Sequence, residues 1–315
     1  MCDFYLRKII RTTCMIVVLL TVSSASFAQT CSVSMGSMVF GNVNTLLGSA
    51  VDITATMTIT CSGGQNTGQR LCISIGAGSA SDATSRKMTG PGGSTARYDL
   101  YSNSARTTLW GSWETGFDSA GVQLDVARGS TTNVTVYGRF FASQQTISAG
   151  SYTATFTANP FIRYANRSIS SCPTGGLTAS TSFSATATVL SSCNVNATSV
   201  NFGSSGILSG TTDAQGTLSI QCSPSLPYTI SLNGGNSGAT DPTQRKMSFS
   251  STNLTYGLYR DAARTLPWGS TIGTDTASGT GTGVTQTQTV YGRVAGQTTP
   301  APGTYTDSVV VTVGY

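Results

Sequence analysis

The residues of this 315-residue chain best equipped for chemistry are its eight cysteines. A thiolate can act as a nucleophile, hold a soft metal ion or be oxidised into a disulfide. The first two uses need partners that the sequence does not supply. It contains no histidine, the commonest general base and metal ligand. Its acids form no close repeating pair and no set at metal-ligand spacing. The Gly-rich segment 273–283 follows no strand-to-helix pattern, so it reads as a loop and not as a phosphate cradle. We therefore expect no catalytic residue, no metal site and no cofactor. Cross-linking is what remains for the cysteines.

Cross-linking requires an oxidising compartment, and the N-terminus supplies the route to one. Arg7, Lys8 and Arg11 precede a short apolar run over 15–22, and Ser26-Phe27-Ala28 is a small-x-small cleavage site. Residues 1–28 thus read as a signal peptide whose apolar run is too short to span a bilayer. Cys14 and Cys31 lack the approach of a lipoprotein site, so no lipid anchor is expected. Cys31, Cys61, Cys72, Cys172, Cys193 and Cys222 survive cleavage, an even set suited to disulfides. Of 17 basic and 12 acidic residues, 14 and 11 remain, a net charge of +3 without a basic run. That balance argues against a nucleic-acid partner.

The elements that must position these cysteines come in two copies. Residues 31–41 (CSVSMGSMVFG) match 193–203 (CNVNATSVNFG), and 52–61 match 213–222. Arg86-Lys87-Met88 matches Arg245-Lys246-Met247, and 99–112 match 257–270 around Trp110 and Trp268. Val136-Tyr137-Gly138-Arg139 matches Val290-Tyr291-Gly292-Arg293, and the block at Tyr152 matches that at Tyr305. Six blocks in one order mean a tandem duplication of a whole domain. The composition is rich in Gly, Ser and Thr, and no stretch after residue 28 sustains an apolar 3.6-residue period, so the fold is all-β. Cys31–Cys61 and Cys193–Cys222 recur at nearly equal spacing, at the start of the first strand and the end of the second. Antiparallel neighbours put those ends side by side. Each closes a loop of about 30 residues and should stabilise by about 3–4 kcal/mol. Elimination pairs Cys72 with Cys172, a bond that the second unit lacks.

These blocks resemble the spore coat protein U domain, which also builds subunits of Csu-type, archaic chaperone–usher pili. The Cys-x-Val…Phe-Gly opening, the Val-Tyr-Gly-Arg block and the closing Gly-x-Tyr-Thr strand carry the resemblance, over 31–315 in two copies. It implies two tandem immunoglobulin-like, pilin-like β-sandwiches, the second lacking its last strand. A periplasmic chaperone and then the next pilus subunit would supply that strand, and an outer-membrane usher would assemble the fibre. Two-domain members of the family are tip adhesins that attach to abiotic or host surfaces and promote biofilm formation.

One stretch has no counterpart ahead of the first unit. Residues 178–190 alternate, with Phe183, Ala185, Ala187 and Val189 on one face and hydroxyl residues on the other. We expect this strand to complete the first domain (29–190) in cis, leaving the second (191–315) with an open acceptor groove. Only Gln29 and Thr30 precede Cys31 after cleavage, so the chain is expected at the pilus tip, exported through the periplasm to the cell surface. Strand directions place loops 62–70, 89–96 and 159–177 at the outer end of the first domain, with 111–121 pointing the same way. Trp113, Phe117, Phe161, Ile162 and Tyr164 lie in these segments and are the candidate surface-binding residues. The aromatics shared by the repeats (Trp110, Tyr137, Tyr152, Trp268, Tyr291, Tyr305) read as core, and Arg86–Lys87 and Arg245–Lys246 as exposed strand ends. The competing functions are a lectin-like tip, stacking Trp113 or Tyr164 on a sugar, and a freestanding secreted coat protein.

Overall fold

Short alternating segments separated by Gly- and Ser-rich turns can bury an apolar face only by stacking as sheets, and the computed structural model shows two domains built that way. It describes residues 29–63, 68–82, 84–114, 117, 119–168, 171–172 and 175–315. The signal peptide expected over 1–28 lies outside the described residues.

The first domain contains β1 (Thr30–Met35), β2 (Met38–Val43), β3 (Val51–Ser62), β4 (Gln69–Ser74), β5 (Arg86–Thr89) and β6 (Thr95–Tyr101). It continues with β7 (Val122–Val126), β8 (Thr131–Phe140), β9 (Gly150–Phe156), β10 (Phe161–Asn166), β11 (Leu177–Ser180) and β12 (Phe183–Val189). One sheet has the order β1-β3-β8-β6-β5-β9-β12-β2, and the facing sheet β11-β10-β4-β7. The second domain contains β13 (Cys193–Ala197), β14 (Thr212–Cys222), β15 (Pro227–Leu232), β16 (Arg245–Phe249), β17 (Thr252–Tyr259), β18 (Ala277–Thr280), β19 (Gln286–Val294) and β20 (Val311–Gly314). Its sheets run β13-β14-β19-β17-β16 and β18-β15-β20. Disulfides join Cys31 to Cys61 and Cys193 to Cys222 across the first ladder of each domain, and Cys72 to Cys172.

β12 sits between two neighbours. It pairs antiparallel with β9, from Phe183–Phe156 to Val189–Gly150, and parallel with β2, from Ala185–Met38 to Val189–Val43. Phe183, Ala185, Ala187 and Val189 are buried, and the Phe183 ring stacks on Phe156 with centroids 4.2 Å apart. The expected strand 178–190 is in fact divided. Leu177–Ser180 belongs to β11, which forms a hairpin with β10, so 159–177 is not one long loop. The Gly-rich loop 89–96 is also misplaced by the sequence reading. Tyr152 donates its hydroxyl proton to Ser148 O, and Ser94 Oγ lies 2.9 Å from the Tyr152 hydroxyl oxygen, while Gly150 pairs with Val189. The loop therefore lies where β12 leaves toward Cys193, at the opposite end from Cys31–Cys61.

The repeated arginines are not exposed. Arg86 and Arg245 are fully buried. Each sits two residues before a buried methionine, Met88 or Met247, so strand alternation turns the arginine inward and the lysine outward. Arg86 donates to Ile75 O, Gly76 O and Trp110 O, and Arg245 to Leu232 O, Asn233 O, Pro242 O and Trp268 O. The tryptophan indoles complete the pin by donating to Ile73 O and Ile230 O. Each guanidinium thus ties a strand of one sheet to carbonyls at the end of a strand of the other. Tyr137 and Tyr291 are only half-buried, each under a guanidinium (Arg106 or Arg264), and so lie on an outer face instead of in the core. Arg106 and Arg139 both pair with Asp52, and Arg264 and Arg293 pair with Asp213 in the same way.

One difference between the two pins is the acid beside the first. Asp99 lies 3.4 Å from Arg86, whereas Gly257 stands in its place in the second domain. Burial pushes the Asp99 carboxyl up to about 6 in spite of the nearby guanidinium. A carboxyl raised on folding contributes stability that is full below its unfolded value, near 4, and is lost as pH rises through about 6. Asp99→Asn keeps the neutral shape at every pH. The first-domain Tm of the wild type is therefore expected to fall relative to Asp99→Asn between pH 4 and pH 7. Parallel calorimetry of the two proteins checks this, with the second-domain transition as internal reference.

Candidate functional site

Two places deserve a functional reading: the aromatic segments of the first domain, and the edge of the second domain that corresponds to β12.

Of the five candidate aromatic and apolar residues, the structure leaves two at the surface. Trp113 is 48% exposed. Its backbone N–H donates to Ser74 Oγ, and its ring rests on Gly121, where an added Cβ would lie 2.3 Å from Trp113 Cδ1. Beside it Glu114 makes a two-point ion pair with Arg163, which holds the carboxyl below its ordinary range. The Arg163 guanidinium also lies 5.3 Å from the centre of the half-buried Phe161 ring. Trp113, Glu114, Arg163 and Phe161 thus form a patch along the flank of the β4–β10 sheet. The remaining three candidates are not available for contact. Phe117 is buried with the Arg86 guanidinium 4.0 Å from its ring centre, a cation–π contact on the pin itself. Ile162 and Tyr164 are buried because they alternate with Phe161 and Arg163 along β10 and take its inner face.

The second place follows from comparing the domains. In the first, β2 has β12 as its ladder partner, and Met38 and Phe40 are buried. In the second, Val200 and Phe202 occupy the same positions. An added Cβ on Gly292 would lie 2.8 Å from both, as one on Gly138 would lie 2.7 Å from Met38. That segment therefore packs on its sheet as β2 does. Yet it is not a strand, and both residues are half-exposed. The counterpart of β9 behaves alike. Thr306 bridges Ser248 as Thr153 bridges Thr89, so the block at Tyr305 is in register with the block at Tyr152. Tyr152 and Phe156 are buried under β12, while Tyr305 and Val309 are only half-buried. Among the described residues no strand pairs with 302–309 on its outer side. Between the two segments runs a groove of about 1020 Å³, floored by Leu218, Leu232, Met247, Leu258 and Val290. An apolar floor between two unpaired backbone edges has the form that accepts an extended strand.

A sequence-family model of the Spore Coat Protein U domain matches residues 16–159 and again 179–312. The chain belongs to this family. Its coat-protein-U relatives include Protein U of Myxococcus xanthus, 38% identical over 107 residues, which are 32% of this chain and 59% of that protein. The match therefore spans less than two thirds of the relative's length. The fold resembles that in the crystal structure of the CsuC–CsuE chaperone–tip adhesion subunit pre-assembly complex from archaic chaperone–usher Csu pili of Acinetobacter baumannii. There the TM-score is 0.55 at 19% identity, covering 91% of this chain and 100% of that one. The CupB6 tip adhesin of Pseudomonas aeruginosa aligns over 91% of this chain and 94% of its own, at 13% identity and a TM-score of 0.38. The chain is thus all-β, with the two domains expected from its repeats and the pilin-like fold implied by the family resemblance.

Phe117 and Trp113 give opposite expectations on truncation. Phe117→Ala removes a buried ring and should cost the first domain about 3–5 kcal/mol. Trp113→Ala should cost under about 1 kcal/mol, as for a surface side chain. Denaturant titrations of both variants check the assignment.

Proposed function

We propose that this protein is a non-catalytic tip adhesin of a chaperone–usher pilus. The observation that carries the reading is internal to the chain: one edge is closed by β12 in the first domain and open as an apolar groove in the second. In this reading β12 is a donor strand supplied in cis, and the first domain (29–190) is complete by itself. The second domain (191–315) takes its strand first from a periplasmic chaperone and then from the next pilus subunit, after passage through an outer-membrane usher. The chain would then sit at the cell surface on the pilus tip, with the first domain outward. Trp113 and Phe161 are the residues proposed to contact an abiotic or host surface, where each buried aromatic contributes about 1.5–3 kcal/mol. Many tips per cell would multiply this by avidity, which supports a role in biofilm formation.

The groove is tested with the chain from residue 29 and a peptide of residues 181–190. Saturating peptide is expected to raise the second-domain Tm by several degrees and leave the first unchanged. A peptide with Asp at the positions of Phe183 and Val189 should do nothing. An unchanged second transition at saturating peptide would favour a freestanding coat protein and end the pilus reading.

The exposed face of Trp113 beside the Glu114–Arg163 pair is also the feature that favours the lectin-like alternative. Attachment of cells displaying the protein should fall several-fold in Trp113→Ala under either reading. Loss of attachment in mild detergent but not in free glycans is expected for the apolar tip, and the reverse would identify a lectin.

A further inference from the structure

The first domain shows what the closed groove looks like. In it Ala185 of β12 lies opposite Ala154 on one side and Met38 on the other, and all three are fully buried. The register fixed by the Thr153–Thr89 and Thr306–Ser248 bridges puts Asp307 in the place of Ala154. An acid thus lines the second groove at the position where the first holds a methyl group. Its Oδ2 accepts the Tyr256 hydroxyl at 2.6 Å, and its Oδ1 accepts the N–H groups of Asn236 and Ser308 at 2.8 Å each. A carboxylate offers about four acceptor positions, so one on Oδ2 is unused by these bonds. Asp307 is still partly exposed, so water reaches it while the groove is open.

The carboxylate is not required by the core around it. Tyr98, paired with Arg86 as Tyr256 is with Arg245, occupies the place of Tyr256 in the first domain, and its buried hydroxyl has no hydrogen-bond partner among the described residues. That domain is nonetheless closed and packed. Asp307 therefore bears on what covers it. A strand laid across the groove removes its water, and a strand shaped like β12 would offer only the methyl group of Ala185 in return. An ionised acceptor buried without a replacement donor is costly.

We propose that Asp307 is the specificity-determining residue of the second groove. It selects an extended donor strand from a neighbouring subunit that carries a hydrogen-bond donor, such as Ser, Thr, Asn or Lys, where β12 carries Ala185. It also weakens binding of β12 itself, by at least ten-fold relative to such a strand, without closing the groove to it. Each copy of the chain holds both an open groove and a strand of suitable shape, so exchange of β12 between copies would link them head to tail. The acid makes that exchange less favourable while leaving the groove open to the correct strand. This inference rests on the reading of the groove as a strand acceptor.

The test measures binding of two peptides to the chain from residue 29, wild type and Asp307→Ala, by isothermal titration calorimetry. One peptide is residues 181–190, and the other is the same with Ala185→Ser. The wild type is expected to bind the serine peptide at least ten-fold more tightly. In Asp307→Ala the unmodified peptide should gain at least ten-fold and the preference should vanish. A second-domain transition in the melting curve of Asp307→Ala confirms that the variant is folded. If that transition is lost, the two peptides on the wild type, with Asp307→Asn in place of the alanine variant, still decide. Equal binding of both peptides to both proteins would overturn the role of Asp307 while leaving the groove intact. No binding of either peptide to either protein would remove the groove and this inference together.

Discussion

An extended backbone laid on an apolar floor must satisfy its N–H and C=O groups on both sides, or keep them in water. That constraint organises the molecule. β2 is a strand because β12 lies beside it, and the corresponding segment of the second domain, with the same packing against its glycine, is not. β9 forms a seven-residue ladder with β12, whereas its counterpart has a single bridge. Each domain has its own core, and this edge, closed in one and open in the other, accounts for the changed exposure of residues on either side of it.

The buried arginines hold the rest in place. Each sandwich must keep its two sheets in register, and neither has an inter-sheet disulfide to do so at the level of Trp110 or Trp268. A guanidinium with five donors in a fixed fork can satisfy several carbonyls at once, which suits a site where a strand end and a turn meet. The first domain adds Phe117 over the guanidinium and Asp99 beside it, and the second manages with backbone carbonyls. The duplicated pins show one device tuned to two surroundings.

How far the sequence could be read depended on whether the signal was local or repeated. The disulfides were legible because two of them recur at one spacing and the third pair is what remains. β12 was legible because Phe183, Ala185, Ala187 and Val189 alternate with hydroxyl residues. The boundary at Leu177 was not, since Thr178 and Ser180 continue the polar alternation while pairing with a different strand. Arg86 was missed although Met88, two residues on, pointed to its face. Ile162 and Tyr164 were missed because an apolar run after Asn159-Pro160 looks like a loop until β4 and β11 are known to flank it. Asp307 could have been found by aligning the two closing blocks, where it replaces Ala154.

The direction of β12 has a mechanical consequence. Force between the domains enters this strand at Val189 and acts along its axis, while its ladders to β9 and β2 run crosswise to that axis. Such loading shears both ladders at once, where a peeling geometry would open them one bond at a time. The next covalent stop is only four residues further on, at Cys193, whose bridge to Cys222 hands the load to the long β14. The joint between the domains is thus built as a lap seam backed by a rivet.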